Sequence, residues 1–135
     1  MKKLLSLSVF ALLFAFVAQA QNPEITFASK VNDFGNIQEA DGMATTTFEF
    51  TNTGSAPLVI SGVTASCGCT TPDWTKTPVL PGETGFVKAS YNAKGRPGIF
   101  SKSVTVRSNA ASEATTVLTI KGEVIAAPKV EGEQK

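Results

Sequence analysis

Past residue 22 the apolar side chains recur at every second position, not at every third or fourth. Ala44, Thr46, Phe48 and Phe50 alternate with Thr45, Thr47, Glu49 and Thr51. That spacing predicts a strand with one face in a core and one in water. Val87, Ala89 and Tyr91 alternate with Lys88 and Ser90 in the same way. Phe100, Val104 and Val106 alternate with Ser101, Ser103, Thr105 and Arg107, and Lys102 interrupts the inward row. Leu118, Ile120 and Val124 alternate with Thr119, Lys121 and Glu123. Leu58, Val59 and Ile60 open a further strand running to Ala65, whose continuous apolar start predicts partial burial on both faces. Two shorter strands fit at 24–28, with Ile25 and Phe27 inward, and at 31–37.

Turn chemistry separates these runs. In Asn52-Thr53-Gly54 both Asn and Gly tolerate positive φ. Pro81-Gly82 is a type II signature, with Pro presetting φ and Gly accepting the left-handed position. Residues 92–98 form a loop rich in breakers. Nothing between residues 21 and 135 holds a helical period. Seven short strands in roughly 100 residues predict an all-β, immunoglobulin-like β-sandwich over residues 21–125. Two antiparallel sheets bury one face of each strand and leave the other wet, as the alternation demands. The antibody-type Cys…Trp…Cys core is absent. Residues 126–135 are polar and aperiodic and read as a flexible tail.

The first twenty residues follow a different rule. Lys2 and Lys3 precede an apolar run from Leu4 to Val17, and Ala18-Gln19-Ala20 supplies a small-residue cleavage site. This pattern predicts a signal peptide at 1–20 and an exported protein, periplasmic or secreted. The run is short for a bilayer span, so no membrane span is expected after cleavage. No cysteine follows it to carry a lipid. Losing Lys2 and Lys3 leaves the basic side chains almost balanced by eleven acidic ones. A near-neutral surface offers no electrostatic footprint for nucleic acid.

The chain contains no histidine. Ser-His-Asp and Cys-His nucleophilic sites are thereby excluded in their usual form, as are histidine-based zinc sites. The carboxylates scatter through turns and outward faces with no spacing that selects a catalytic pair. These features predict a protein that is not an enzyme. Cys67-Gly68-Cys69 is the one concentrated chemical signal. Its thiolates could hold Cu(I), for which two sulfurs suffice. They could form a bridge across two positions, reducible and open to redox chemistry, with Gly68 permitting the backbone angles. Or they could be small buried side chains filling the end of the sandwich. Trp74, the single tryptophan, is either a lid over the open end or an exposed contact for a partner.

Several short signatures occur in a fixed order: Phe34-Gly35-Asn36-Ile37, Phe48-Glu49-Phe50-Thr51-Asn52-Thr53-Gly54, Pro57-Leu58-Val59-Ile60 and Ser66-Cys67-Gly68-Cys69-Thr70-Thr71-Pro72. Pro81-Gly82-Glu83, Gly95-Arg96-Pro97-Gly98, Ser108-Asn109 and Lys121-Gly122-Glu123-Val124 complete the series. Together they resemble an exported bacterial family, domain of unknown function 1573, which is similar to Hydin-type immunoglobulin-like domains. The resemblance implies a sandwich, an exported location and an interaction role. It marks Cys67, Cys69 and Trp74 as positions to test and supplies no activity. The expectation is a cell-envelope binding or structural module that meets an envelope protein or glycan through a sheet edge or the Trp74 end. The alternative is a Cu(I)-binding or thiol–disulfide protein acting through Cys67 and Cys69.

Overall fold

The alternation past residue 22 becomes two four-stranded sheets packed face to face. A computed structural model describes residues 21–128; the expected signal peptide at 1–20 and most of the expected tail, the residues beyond 128, lie outside the described residues. The strands are β1 (Ile25–Phe27), β2 (Val31–Gln38), β3 (Met43–Asn52), β4 (Ile60–Ala65), β5 (Thr70–Trp74), β6 (Thr84–Asn92), β7 (Gly98–Ser108) and β8 (Thr115–Ile125). One sheet, A, has the order β1-β3-β6-β5, and the other, B, has β2-β8-β7-β4. All neighbours are antiparallel except β2 and β8, which run parallel.

The inward rows meet as one core. Phe48, Phe50, Val87, Ala89 and Tyr91 come from sheet A, and Val104, Val106, Leu118, Ile120 and Val124 from sheet B. Tyr91 stacks on Phe100 at 3.9 Å between ring centres, and Phe27 meets Phe50 edge-on at 5.5 Å. Lys102 keeps the inward register opposite Ile120 but is only half-buried. It lies past Ala65, the last β4 residue paired to β7, where the inner face opens.

Asn52 closes β3 from inside the core and is fully buried. Its side-chain amide donates to the carbonyls of Ala56 (2.7 Å) and Val79 (2.9 Å). Its oxygen accepts from the Gly54 N–H (2.9 Å) and the Glu24 N–H (3.3 Å). One side chain thus ties three loop segments to the end of β3, and both of its buried polar atoms find partners.

Four local expectations change. There are eight strands, not seven, because residues 70–74 form β5 at the edge of sheet A. Val59 is exposed between buried Leu58 and Ile60, so the start of the fourth run is buried on one face only. Gly54 is needed for space and not for positive φ: a Cβ there would overlap the Asn22 carbonyl and the Glu24 nitrogen. Gly68 has neither requirement, since its φ is not positive and a Cβ would meet nothing within 4 Å. The Pro81-Gly82 turn forms as expected, with Gly82 at φ 81° and the Glu83 N–H donating to the Leu80 carbonyl (2.9 Å).

Candidate functional site

The cysteines occupy the turn that carries the chain from β4 in sheet B to β5 in sheet A. Their sulfur atoms are joined as a disulfide, with the Cα atoms 5.2 Å apart. Cys69 is buried and Cys67 half-buried, both against the core. The disulfide and the structural filler, distinct in the sequence, are therefore one arrangement. The turn is tied on both sides. The Ser66 N–H donates to the Ser103 carbonyl on β7 (2.9 Å), and the Asn92 N–H on β6 donates to the Cys69 carbonyl (2.8 Å). The Thr70 hydroxyl lies 3.8 Å from each sulfur. With the sulfurs bonded to each other, Cu(I) binding requires a two-electron reduction first. Among the described residues, no three or more Cys, Asp or Glu side chains are grouped to hold a metal.

Trp74 ends β5 and packs half-buried against the core, with the Lys76 ammonium over its ring and 3.7 Å from Asp73. It therefore packs on the core and still presents part of its surface. Thr70 and Trp74 stand at opposite ends of β5, so the structure does not bring Cys67, Cys69 and Trp74 into one cluster.

Hydrogen-bond parity decides what each edge of sheet A offers. On β5 the odd residues face β6: the Asn92 N–H donates to Cys69, and the Thr75 N–H to Phe86 (3.0 Å). The even residues therefore face outward. Of these, the Thr70 N–H is taken by the Cys67 carbonyl (3.3 Å), Pro72 has no N–H, and the Trp74 N–H donates to the Asp73 carboxylate (2.9 Å). Every outward donor of β5 is occupied or missing.

On β3 the even residues face β6, as the Asn52 N–H to Glu83 carbonyl (3.0 Å) and Ala93 N–H to Gly42 carbonyl (2.6 Å) bonds show. The odd residues face β1, as shown by the Ala28 N–H to Glu49 carbonyl (3.0 Å) and the Thr53 N–H to Glu24 carbonyl (3.1 Å). But β1 pairs only with residues 50–52 before its chain crosses to sheet B. The N–H and C=O groups of Met43, Thr45 and Thr47 thus face a lane in which no strand pairs with them among the described residues, with β2 of the other sheet passing beside it. The sequence reading missed this site. Its one readable trace is the run Met-Ala-Thr-Thr-Thr-Phe, without charge, proline or glycine, where an edge strand usually carries such a guard.

The chain matches the family model described as "Protein of unknown function (DUF1573)" over residues 25–124. It belongs to that family. No curated protein matches it. Among solved structures, a protein of unknown function from Porphyromonas gingivalis W83 superimposes with a TM-score of 0.66 at 21% identity, over 77% of this chain and 48% of that one. The PapD-like domain 7 of human CEP192 superimposes with a TM-score of 0.63 at 10% identity, over 79% of this chain and 89% of that domain. Part of the secreted serine protease VesC from Vibrio cholerae does so with a TM-score of 0.57 at 16% identity, over 78% of this chain and 24% of the protease. The DUF1573 chain therefore spans about half of the Porphyromonas protein and about a quarter of VesC. At these identities the likeness concerns the fold, an immunoglobulin-like, PapD-like sandwich. Among the described residues no helix is long and apolar enough to cross a membrane.

Proposed function

We propose that this DUF1573 protein is an exported, non-catalytic binding module of the cell envelope that takes an extended segment of a protein partner onto the free edge of β3. The observation that carries the reading is the row of outward backbone groups at Met43, Thr45 and Thr47, which a β-strand matches and a glycan does not. The exported location rests on the pattern of residues 1–20, and the interaction role agrees with the sandwich class. Affinity capture from envelope extract tests it, with the wild-type chain and a Thr47→Pro variant side by side. Proline removes an outward donor and leaves the β6 side of β3 intact. Proteins captured by the wild type and lost with Thr47→Pro are expected. Identical capture by both forms would refute the edge.

The bonded Cys67–Cys69 pair favours a second reading, thiol–disulfide exchange entered at Cys67, the less buried of the two cysteines. Native mass spectrometry with and without reductant and Cu(I) reads it directly. A pair that neither reduces reversibly nor then takes up the metal removes both the exchange reading and the Cu(I) one.

A further inference from the structure

We infer that the strand on the β3 edge is that of a second copy of this chain, paired antiparallel about a twofold axis near Thr45. The inference rests on the reading of β3 as a binding edge and names the partner.

Three properties of the run at 43–48 make it complementary to itself. The first is parity. The odd residues carry the outward N–H and C=O groups, and an antiparallel pair about Thr45 sets odd residues opposite odd residues. Thr45 meets Thr45, and Met43 meets Thr47. Each such pair exchanges two backbone hydrogen bonds. The second is length. The lane is bounded at one end by Ala28, whose N–H bonds Glu49, and at the other by Gly42, where φ 76° turns the chain away. An incoming strand finds partners only along the lane, and the same run on another copy has the same length between the same two turns. The third is chemistry. Met43, Thr45 and Thr47 form the outward row and carry no charge, so their mirror images do not repel, and β-branched Thr suits cross-strand contact.

The inner row has room as well. Ala44 and Thr46 are half-buried and small. Two shallow grooves flank the run, one of about 200 Å³ beside Ala28, Ser29 and Thr46, the other of about 220 Å³ beside Ile37, Met43 and Ala44. The partner's Ala44 and Thr46 would enter the sheet over these spaces. The exposed carboxylates Asp41 and Glu49 bracket the run and come to the same ends of the pair, which weakens association at low salt. Each copy has one such lane, so pairing closes at two.

The test is sedimentation velocity and amide exchange on the purified full chain over roughly 10 μM to 1 mM, the range of weak complexes. The expected result is a concentration-dependent dimer in which the Met43, Thr45 and Thr47 amides exchange at least about tenfold more slowly than in dilute protein. Thr45→Pro is expected to remain a folded monomer, because its N–H serves only the lane. Should that variant fail to fold, Thr45→Lys places a charge on the exposed side chain with the backbone unchanged and should give the same monomer. Glu49→Lys should tighten the dimer. A monomer at every concentration overturns the inference, as does a dimer indifferent to both Thr45 variants, or growth beyond two copies. A monomer that still captures another protein in a Thr47→Pro-sensitive way overturns the second copy while leaving the binding edge standing.

Discussion

On either side of β6, β5 and the stretch of β3 that β1 leaves unpaired present opposite surfaces. At β5 the three outward positions are closed one by one: Thr70 by the Cys67 carbonyl, Pro72 by its ring, Trp74 by the Asp73 carboxylate. At β3 the three outward positions beyond β1 are open, and the side chains there are Met and Thr. Open edges invite pairing, so chains that must stay apart blunt them with proline, charge or bulges. Two other edges of the sandwich follow that rule. β2 carries a bulge between Asp33 and Asn36, with Gly35 at φ 63°, and β4 is interrupted between Ile60 and Gly62. The contrast makes the β3 run a place where pairing is permitted, and it assigns the disulfide turn to the guarded side.

The largest expected effect lies where the covered part of β3 begins. Asn52 holds the Glu24 N–H at the start of β1 and the Ala56 and Val79 carbonyls. Asn52→Ala leaves the Glu24 N–H and the Ala56 carbonyl without a partner, while the Val79 carbonyl keeps the Leu58 N–H, at an expected cost of about 3 kcal/mol. Denaturant unfolding measures the loss. Exchange protection should fall first at the Thr51 and Ala28 amides, extending the open lane toward the end of β3. An Asn52→Ala chain as stable as wild type would mean that β1 is held by its strand pairing alone.

The next effect lies on the guarded side. Replacing both cysteines, Cys67→Ala with Cys69→Ala, removes a very short covalent loop. Chain entropy alone puts the loss at about 1.5 kcal/mol. Alanine keeps the buried site apolar, so little packing is lost with it. The turn should loosen, and the Thr70 N–H, held by Cys67, should exchange faster while the Trp74 N–H does not change. A midpoint shift without faster Thr70 exchange would separate the bridge from the closing of the β5 edge.

How far the sequence reveals this contrast depends on what each feature requires. The sandwich is legible because burial on one face forces period two, and the inward rows at Phe48 and Phe50, Val104 and Val106, and Leu118 and Ile120 are buried as read. β5 is hidden because Pro72 reads as a breaker. Only its place at an edge, with the missing N–H turned outward, reconciles proline with a strand. The roles of Gly54 and Gly68 are misread because composition reports what a backbone can do, and neighbours decide what it must do. The cysteine pair is legible as a cluster, but its sequence leaves metal, bridge and filler all open. The open lane at β3 leaves only its unguarded run as a trace, for a different reason. It is set by where β1 stops, which depends on the crossover at residues 28–30 and not on any residue of β3 itself.

The smallest expected effect is the most discriminating for the comparison. Pro72→Ala restores an outward N–H at the middle of β5. The unfolded chain gains freedom, so stability should fall by about 0.5 kcal/mol. Association should not appear, because the flanking donors of Thr70 and Trp74 remain occupied and a single free N–H cannot hold a strand. Adding Asp73→Ala releases the Trp74 N–H and also removes the carboxylate beside Lys76. The doubly substituted edge then has two adjacent outward donors, a lane approaching that of β3. Sedimentation should show new self-association for the pair of substitutions and none for either alone, and the new contact should survive Thr45→Pro. If Pro72→Ala alone associates, proline is the whole guard and the side-chain cap is incidental. If the pair does not associate, open donors are insufficient, and the weight of the β3 argument moves from its backbone to its uncharged side chains.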